Sequence, residues 1–84
     1  MELEFVKGDV ICRVGLSTTR WVVIGSSGGT YVNGVEWRIY HVEELRNGRL
    51  VKPVYAWSLG HVESQYIKVG FWDLKLGLEM DDGT

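Results

Sequence analysis

Two Asn-Gly pairs, Asn33-Gly34 and Asn47-Gly48, constrain the fold more than any other feature of this 84-residue sequence. A two-residue β-hairpin turn needs positive φ at both central positions, and Asn followed by Gly adopts that conformation at low energetic cost. Both pairs are flanked by runs rich in Val, Ile, Trp and Tyr, the residue types that are enriched in strands. We therefore predict that each pair closes an antiparallel hairpin.

Runs of the same kind recur along the chain, and Gly, Ser and Asn clusters separate them. This pattern predicts an all-β protein with strands over residues 9–14, 20–24, 35–42, 50–59 and 66–71. The Gly-rich stretch 25–29 resembles a phosphate loop at first, but no Lys followed by Ser or Thr comes after it. We predict that it is a flexible loop between strands. Helix is expected only as single turns, near residues 42–46 and 62–65.

The length allows one domain, because a chain of this size buries only about 60% of its unfolded surface. The 45% hydrophobic content excludes a chain that is disordered throughout. We predict a single domain over residues 1–84, with a compact body over 5–78 and a frayed acidic tail over 79–84. The body carries nine basic and six acidic residues, a balance that is compatible with nucleic acid without indicating it.

The single cysteine, Cys12, cannot form an internal disulfide, so a reducing cytoplasmic location is predicted. The first residues are acidic where a secretory signal needs a basic flank. The longest charge-free stretch, residues 21–35, is interrupted by Gly, Ser, Thr and Asn and falls short of the ~20 apolar residues of a membrane helix. We expect no membrane association.

The Asn47-Gly48 turn predicts the register of its hairpin and hence a core face. That register pairs Leu45 with Leu50, Glu43 with Lys52, His41 with Val54, Ile39 with Ala56 and Trp37 with Ser58. Opposite charges and large–small pairs face each other in it, as cross-strand packing favours. We interpret this face as the core.

The other face of the hairpin is predicted to bind a partner. It pairs Val42 with Pro53, Tyr40 with Tyr55 and Arg38 with Trp57, the last pair suited to a cation–π contact. Pro53 has no N–H to donate, which predicts a bulge or an edge strand. The Asn33-Gly34 turn adds Tyr31 opposite Glu36. The predicted aromatic face therefore comprises Tyr31, Glu36, Arg38, Tyr40, Tyr55 and Trp57. The alternative is that these rings form a second small core or a dimer seam.

The opening sequence Phe5-Val6-Lys7-Gly8-Asp9-Val10-Ile11 resembles the start of Src-homology-3-like small β-barrels. The resemblance implies a five- to six-stranded barrel or a strongly bent antiparallel sheet. Members of this superfamily bind RNA, methylated tails, proline-rich peptides or other proteins, so the resemblance leaves function open. Arg13, Gly15 and Arg20 loosely match the nucleic-acid-binding branch. The loop over residues 13–20 has no acid, which disfavours the proline-peptide branch.

No residue pattern indicates catalysis, so we predict that the chain is not an enzyme and uses no cofactor. His41 and His61 could be metal ligands, but a metal site needs three or four ligands, and Cys12 is the only thiol, so no metal site is predicted. The serines lie in no strand–turn–helix context that would expose a nucleophile. We interpret His41 as a hydrogen-bonded structural histidine.

Apolar residues alternate near the end of the chain, at Leu74, Leu76, Leu78 and Met80. In an extended segment they share one side. Residues 73–80 are therefore predicted either to add a sixth strand to their own sheet or to pair with a neighbouring chain in a homodimer.

The sequence predicts a small binding module that recognises another protein through its aromatic face, in a regulatory or inhibitory role of the kind that phages and other mobile elements encode. The alternative is an RNA- or DNA-binding barrel. In that alternative, phosphates are bound by basic side chains, namely Arg13, Arg20, Arg38, Arg49 and Lys52.

Overall fold

The computed structural model describes residues 3–80 and shows one six-stranded antiparallel sheet. The strands are β1 (Asp9–Arg13), β2 (Leu16–Thr30), β3 (Glu36–Arg46), β4 (Arg49–Ser58), β5 (Tyr66–Asp73) and β6 (Leu78–Met80). One helix, α1 (Leu59–Gln65), joins β4 to β5. The strand order is β4-β3-β2-β1-β5-β6, so the sheet is not closed into a barrel. The predictions of an all-β fold and of a bent antiparallel sheet are confirmed.

Gly8 fixes the point at which β1 enters the sheet between β2 and β5. Its N–H donates to the Val23 carbonyl at 2.7 Å, and its own carbonyl accepts from the Trp72 N–H at 2.6 Å. Its φ is +100°, and a Cβ there would come within 2.6 Å of the Phe71 ring. The Lys-Gly-Asp turn therefore needs glycine both for its backbone conformation and for its close packing.

Apolar residues pack on both faces of the sheet, because successive side chains along β1 and β2 point to opposite sides. Val23 and Ile11 belong to the first core, and their neighbours Val22 and Val10 belong to the second. The buried residues of the first core are Phe5, Ile11, Val23, Tyr40, Val42, Val62 and Tyr66. Those of the second core are Val10, Val22 and Trp72. The sheet thus has two apolar faces, each covered over part of its area.

The predicted turn at Asn47-Gly48 is confirmed, with φ of 52° and 75° at its two residues. Leu45 lies opposite Leu50 as predicted. Beyond Glu44 the register shifts by two, so that Val42 faces Tyr55, Tyr40 faces Trp57, His41 faces Ala56 and Ile39 faces Ser58. The extra residues lie in β4 around Pro53, and β4 is an edge strand, as the missing proline N–H suggested.

The assignment of the hairpin's two faces is wrong at its centre. A shift of two residues keeps every side chain on its own face, yet Tyr40 and Val42 are fully buried. Val54 and Ala56, assigned to the core, are exposed. The reason is that α1 and the segment around Phe5 cover the Tyr40 side. Near the turn the assigned core face does pack inward, because Leu45 and Leu50 contact the second core.

The turn at Asn33-Gly34 differs from the prediction. Only Gly34 of the pair has positive φ, and the chain turns through three residues between Tyr31 and Val35. Thr30 therefore faces Glu36, one residue out of the predicted register. Such a slip changes the face of every side chain, so Tyr31 does not lie opposite Glu36.

The prediction of a flexible Gly-rich loop is also wrong, because residues 25–29 lie within β2. Gly29 faces Trp37, and a Cβ on it would lie 3.0 Å from the indole ring. A Cβ on Gly28 would lie 2.8 Å from the Trp37 carbonyl oxygen. Glycine here allows β3 to approach closely while the indole covers the bare backbone. We call the outer part of this hairpin, residues 26–38, the arm.

The predicted sixth strand is confirmed, since β6 pairs with β5 of the same chain. Residues 74–77 form a turn instead of an extended strand, because the Asp73 carboxylate accepts from the N–H groups of Lys75 and Leu76 at 2.9 and 3.0 Å. Glu79, placed in the predicted tail, lies in β6 and pairs with Arg20 at 2.8 Å. Met80, also placed in the tail, is the last residue of β6, and the rest of the tail, residues 81–84, lies outside the described residues.

We expect Gly28→Ala to lower the free energy of unfolding by about 1–3 kcal/mol, because its methyl group meets a backbone oxygen that cannot move without disturbing the arm. Gly25→Ala is the matched control, since a Cβ at Gly25 meets nothing within 4 Å. It should change stability by less than about 1 kcal/mol. Urea denaturation followed by circular dichroism measures both values, and equal midpoints for the two variants would contradict the close approach.

Candidate functional site

Five rings form a continuous group on the face of the first core, which we call the aromatic cluster. Its members are Trp21, Tyr55, Trp57, His61 and Tyr66. Trp57 lies at the centre, with ring centroids 4.6 Å from Trp21 and 5.4 Å from Tyr66. Edge-to-face and stacked pairs at such distances are favourable arrangements for aromatic rings. The cluster is therefore a packed unit.

Four elements of the fold bring these rings together. Tyr55 and Trp57 share a face because they are two residues apart in β4. Ser58 follows at once as the N-cap of α1, and its hydroxyl oxygen accepts from the His61 N–H at 3.4 Å. This cap starts the helix so that His61 lies over Trp57, with ring centroids 6.1 Å apart.

The cluster runs from the core to the surface. Tyr66 is buried, and Trp21 and Trp57 are half-buried against the first core. Tyr55 is 42% exposed, and His61 is also exposed. Burial raises the pKa of Tyr66 above its ordinary value, while the nearby Arg13 guanidinium lowers it and offsets part of the rise. Arg13 lies directly opposite Tyr66 in the pairing of β1 with β5, so a cation lies beside the buried end of the cluster.

The exposed rings adjoin an unpaired strand edge. Within residues 3–80, β4 pairs with β3 alone, so its outer side has no strand partner. Val54, Tyr55, Ala56 and Ser58 are all exposed there. An edge of this kind leaves backbone N–H and C=O groups available for pairing with another chain. Exposed aromatic area and free backbone groups thus occur side by side.

Tyr40, a member of the predicted aromatic face, is unavailable to a partner. Its side chain is 0% exposed, and its hydroxyl donates to the Glu63 carboxylate at 2.6 Å and accepts from the Phe5 N–H at 3.2 Å. Burial, and secondarily the bond to Glu63, raises the pKa of Tyr40 to about 12. The inclusion of Tyr40 in a recognition surface is wrong because α1 covers it.

The remaining members of the predicted aromatic face are divided. Tyr55 and Trp57 lie in the aromatic cluster, whereas Glu36 and Arg38 lie on the arm and Tyr31 at its tip. Trp57 faces Tyr40, and Arg38 faces Gly28, so the predicted pairing of Arg38 with Trp57 is wrong. A shallow cleft of about 300 Å³ near the arm is lined by Glu36, Trp37, Arg38, Ser58, Leu59 and Gly60.

The basic residues of the nucleic-acid alternative do not form one stripe. Arg20 and Lys52 are in ion pairs, with Glu79 at 2.8 Å and with Glu43 at 3.3 Å. Arg13 and Arg49 lie towards one end of the sheet, whereas Arg38 lies on the arm. Arg46, which lies opposite Arg49, is eight residues from Arg38 along β3. This separation corresponds to roughly 26 Å at the usual rise of a strand.

His41 is hydrogen-bonded, as expected, but its partner was not identified from sequence. The Ser27 hydroxyl oxygen lies 2.8 Å from His41 Nε2, and the contact joins β2 to β3 at the base of the arm. In residues 3–80 no carboxylate hydrogen-bonds the His41 ring.

The described side chains bring no three His, Cys, Asp or Glu residues together as a metal site. The helix in this part of the chain is too short to cross a membrane.

Sequence reasoning missed Trp21, His61 and Tyr66 as members of the cluster. The position of Trp21 depends on the pairing of β2 with β3, where it faces Glu44. The registers predicted from the two Asn-Gly turns do not extend to that pair. A signal for His61 was present, because Ser58 is a favourable N-cap residue three positions before it.

Comparison with protein-family models, with curated proteins and with solved structures gives no match for this chain.

We expect Tyr40→Phe to lower the free energy of unfolding by about 1–3 kcal/mol, because the buried Phe5 N–H and the Glu63 carboxylate both lose a partner. Tyr31→Phe, at a tyrosine that is 59% exposed, is the matched control and should be neutral. Chemical denaturation measures both, and an unchanged Tyr40→Phe would contradict the role of the hydroxyl.

The same phenol predicts a pH dependence. Its pKa is higher in the folded state, about 12, than the ordinary 10.0, so the folded state holds the proton more tightly. The resulting stability is complete below pH 10 and is lost as the pH rises through 12. Wild-type protein should therefore lose more stability across this range than Tyr40→Phe does, as measured by denaturation at a series of alkaline pH values.

Proposed function

We propose that this chain is a non-enzymatic binding module that holds a protein partner on the aromatic cluster beside the open edge of β4. The observation that carries the proposal is the placement of Tyr55, 42% exposed, on a strand whose outer edge is unpaired in the described residues. Tyr and Trp side chains offer large contact area at low entropic cost and are enriched at binding hot spots.

The packing of the cluster favours recognition because its rings are already fixed. Trp57 is held between Trp21 and Tyr66, and Trp21 lies edge-to-face with Tyr55 at 5.6 Å. A partner that contacts Tyr55 meets side chains that lose little rotamer freedom on binding. Preorganised rings at a strand edge therefore support a specific interface.

The proposal includes a regulatory or inhibitory role, in which the module acts by covering a surface of its partner, as small proteins of phages and other mobile elements do. A cytoplasmic location belongs to the same proposal, on the basis of the single, buried Cys12. Membership of the Src-homology-3-like class is part of the same proposal and rests on the resemblance of residues 5–11 to the start of such barrels. The exposed Leu74, Leu76 and Leu78 support the proposed homodimer contact through residues 73–80.

Binding of RNA or DNA is the alternative function. Arg13, which is exposed and lies opposite Tyr66, is the observation that favours it, because a guanidinium at one end of an aromatic cluster suits a phosphate next to stacked bases. Phosphate contacts would make the affinity fall steeply with salt, whereas an aromatic protein interface responds weakly. Nuclease treatment and ionic strength therefore separate the two functions.

The test is capture from a lysate of the native cells with three tagged baits: wild type, Tyr55→Ala and Tyr31→Ala. The two variants remove the same side chain at two exposed positions, one in the cluster and one at the tip of the arm. We expect a stoichiometric protein partner that survives nuclease, is retained by Tyr31→Ala and is depleted about tenfold or more by Tyr55→Ala, since a hot-spot truncation removes about 2 kcal/mol or more. Loss with Tyr31→Ala alone would place the site on the arm.

A further inference from the structure

We propose that the partner contributes an extended acidic peptide segment, which adds as a seventh strand along β4. This inference rests on the proposed function and names the chemistry of what the aromatic cluster and its strand edge bind.

The first argument is the backbone of β4. Alternate residues of an edge strand direct their N–H and C=O groups away from the neighbouring strand. Residues 55–58 pair regularly with β3, and their outer side is unpaired in the described part of the chain. A peptide backbone supplies the alternating donors and acceptors that match such an edge, and a phosphodiester backbone does not. The edge therefore favours a polypeptide.

The position of Pro53 limits where the added strand can lie. Pro53 has no N–H, and the register of the hairpin shifts beside it. The regular part of the edge thus begins after Pro53 and continues to Ser58, where α1 starts. This stretch includes Tyr55 and Trp57, so the added strand would run alongside the exposed side of the cluster.

The second argument is charge. β4 carries two cations, Arg49 and Lys52, and no carboxylate. Arg46 lies directly opposite Arg49, and like charges in such a pair destabilise a hairpin. Glu44 binds Arg46 through two hydrogen bonds, at 2.9 and 3.2 Å. Among residues 3–80, Arg49 has no carboxylate partner, so this end of the edge is suited to an acid from outside.

The two arguments define the segment that fits. It has alternating aromatic or β-branched residues that contact Tyr55 and Trp57 from one face of an extended strand. It has one or two acidic residues about five positions away, to reach Arg49 near the β3–β4 turn. A second copy of this chain fits less well, because its own β4 would bring the same two cations and no carboxylate.

The probe is a displayed library of random peptides of about 12 residues, long enough to follow β4 at roughly 3.3 Å per residue. It is panned on the full-length chain. We expect the enriched peptides to be acidic, with alternating apolar residues next to the acidic group. Enrichment of peptides with no excess of Asp or Glu would overturn the inference.

Two matched comparisons on a synthetic peptide from the enriched set test the mode of binding. Arg49→Glu should weaken its binding about tenfold or more, whereas Arg38→Glu, the same change on the arm, should not. Methylating alternate amides of the peptide in one register should abolish binding, and methylating the other set should leave it intact. Equal effects of the two arginine variants, or of the two methylation patterns, would contradict strand addition.

The outcomes separate this inference from the proposed function. Suppose that Tyr55→Ala abolishes capture of the cellular partner, but that neither Arg49→Glu nor amide methylation changes the affinity of the peptide. The inference then fails and the proposed function stands. If Tyr55→Ala leaves that capture unchanged, the proposed function fails as well. Binding of poly-uridine RNA with steep salt dependence, in place of peptides, would overturn both.

Discussion

The hydrogen bond from the Tyr40 hydroxyl to the Glu63 carboxylate, at 2.6 Å, joins β3 to α1. The Phe5 N–H donates to the Tyr40 hydroxyl oxygen and so joins the segment before β1 to the same side chain. A buried hydroxyl must be satisfied, so these three segments are held in one arrangement. Val62 and Phe5 then cover the centre of the sheet. The rings of the same face that lie outside this cover, above all Tyr55, are left at the surface.

An open sheet with two apolar faces explains why the candidate site lies where it does. The first core covers part of the face around Tyr40, and the second core covers part of the face around Trp72. Neither face of the sheet is therefore wholly exposed. β4 is one of the two edge strands of the described sheet, and its unpaired side lies next to the aromatic cluster. An edge strand of this kind attracts other chains, and Lys52 and Pro53 restrict which part of it is accessible. The same features that limit aggregation would thus select one short stretch for recognition.

The local features of the fold were predictable, and the long-range ones were not. The turn at Asn47-Gly48 and the effect of Pro53 follow from backbone chemistry within a few residues, and both are confirmed. Which face of β3 is buried depends on α1, because α1 packs on Tyr40. Rules for strand pairing do not predict the packing of a helix on a sheet. The composition of the Gly-rich stretch indicates a loop. The stretch forms a strand because Trp37, eight residues after Gly29, packs against it, and this contact is not evident from local sequence. Tyr55 and Trp57 were correctly placed together, but Trp21 required the register of a second hairpin.

We propose that recognition takes place at the edge of β4 and not at the tip of the arm. Backbone hydrogen exchange, measured on the protein with and without its captured partner, tests this claim most directly. We expect binding to slow the exchange of amides in residues 54–58 and to leave the exchange of those in residues 31–35 unchanged. Protection confined to residues 31–35 would contradict it.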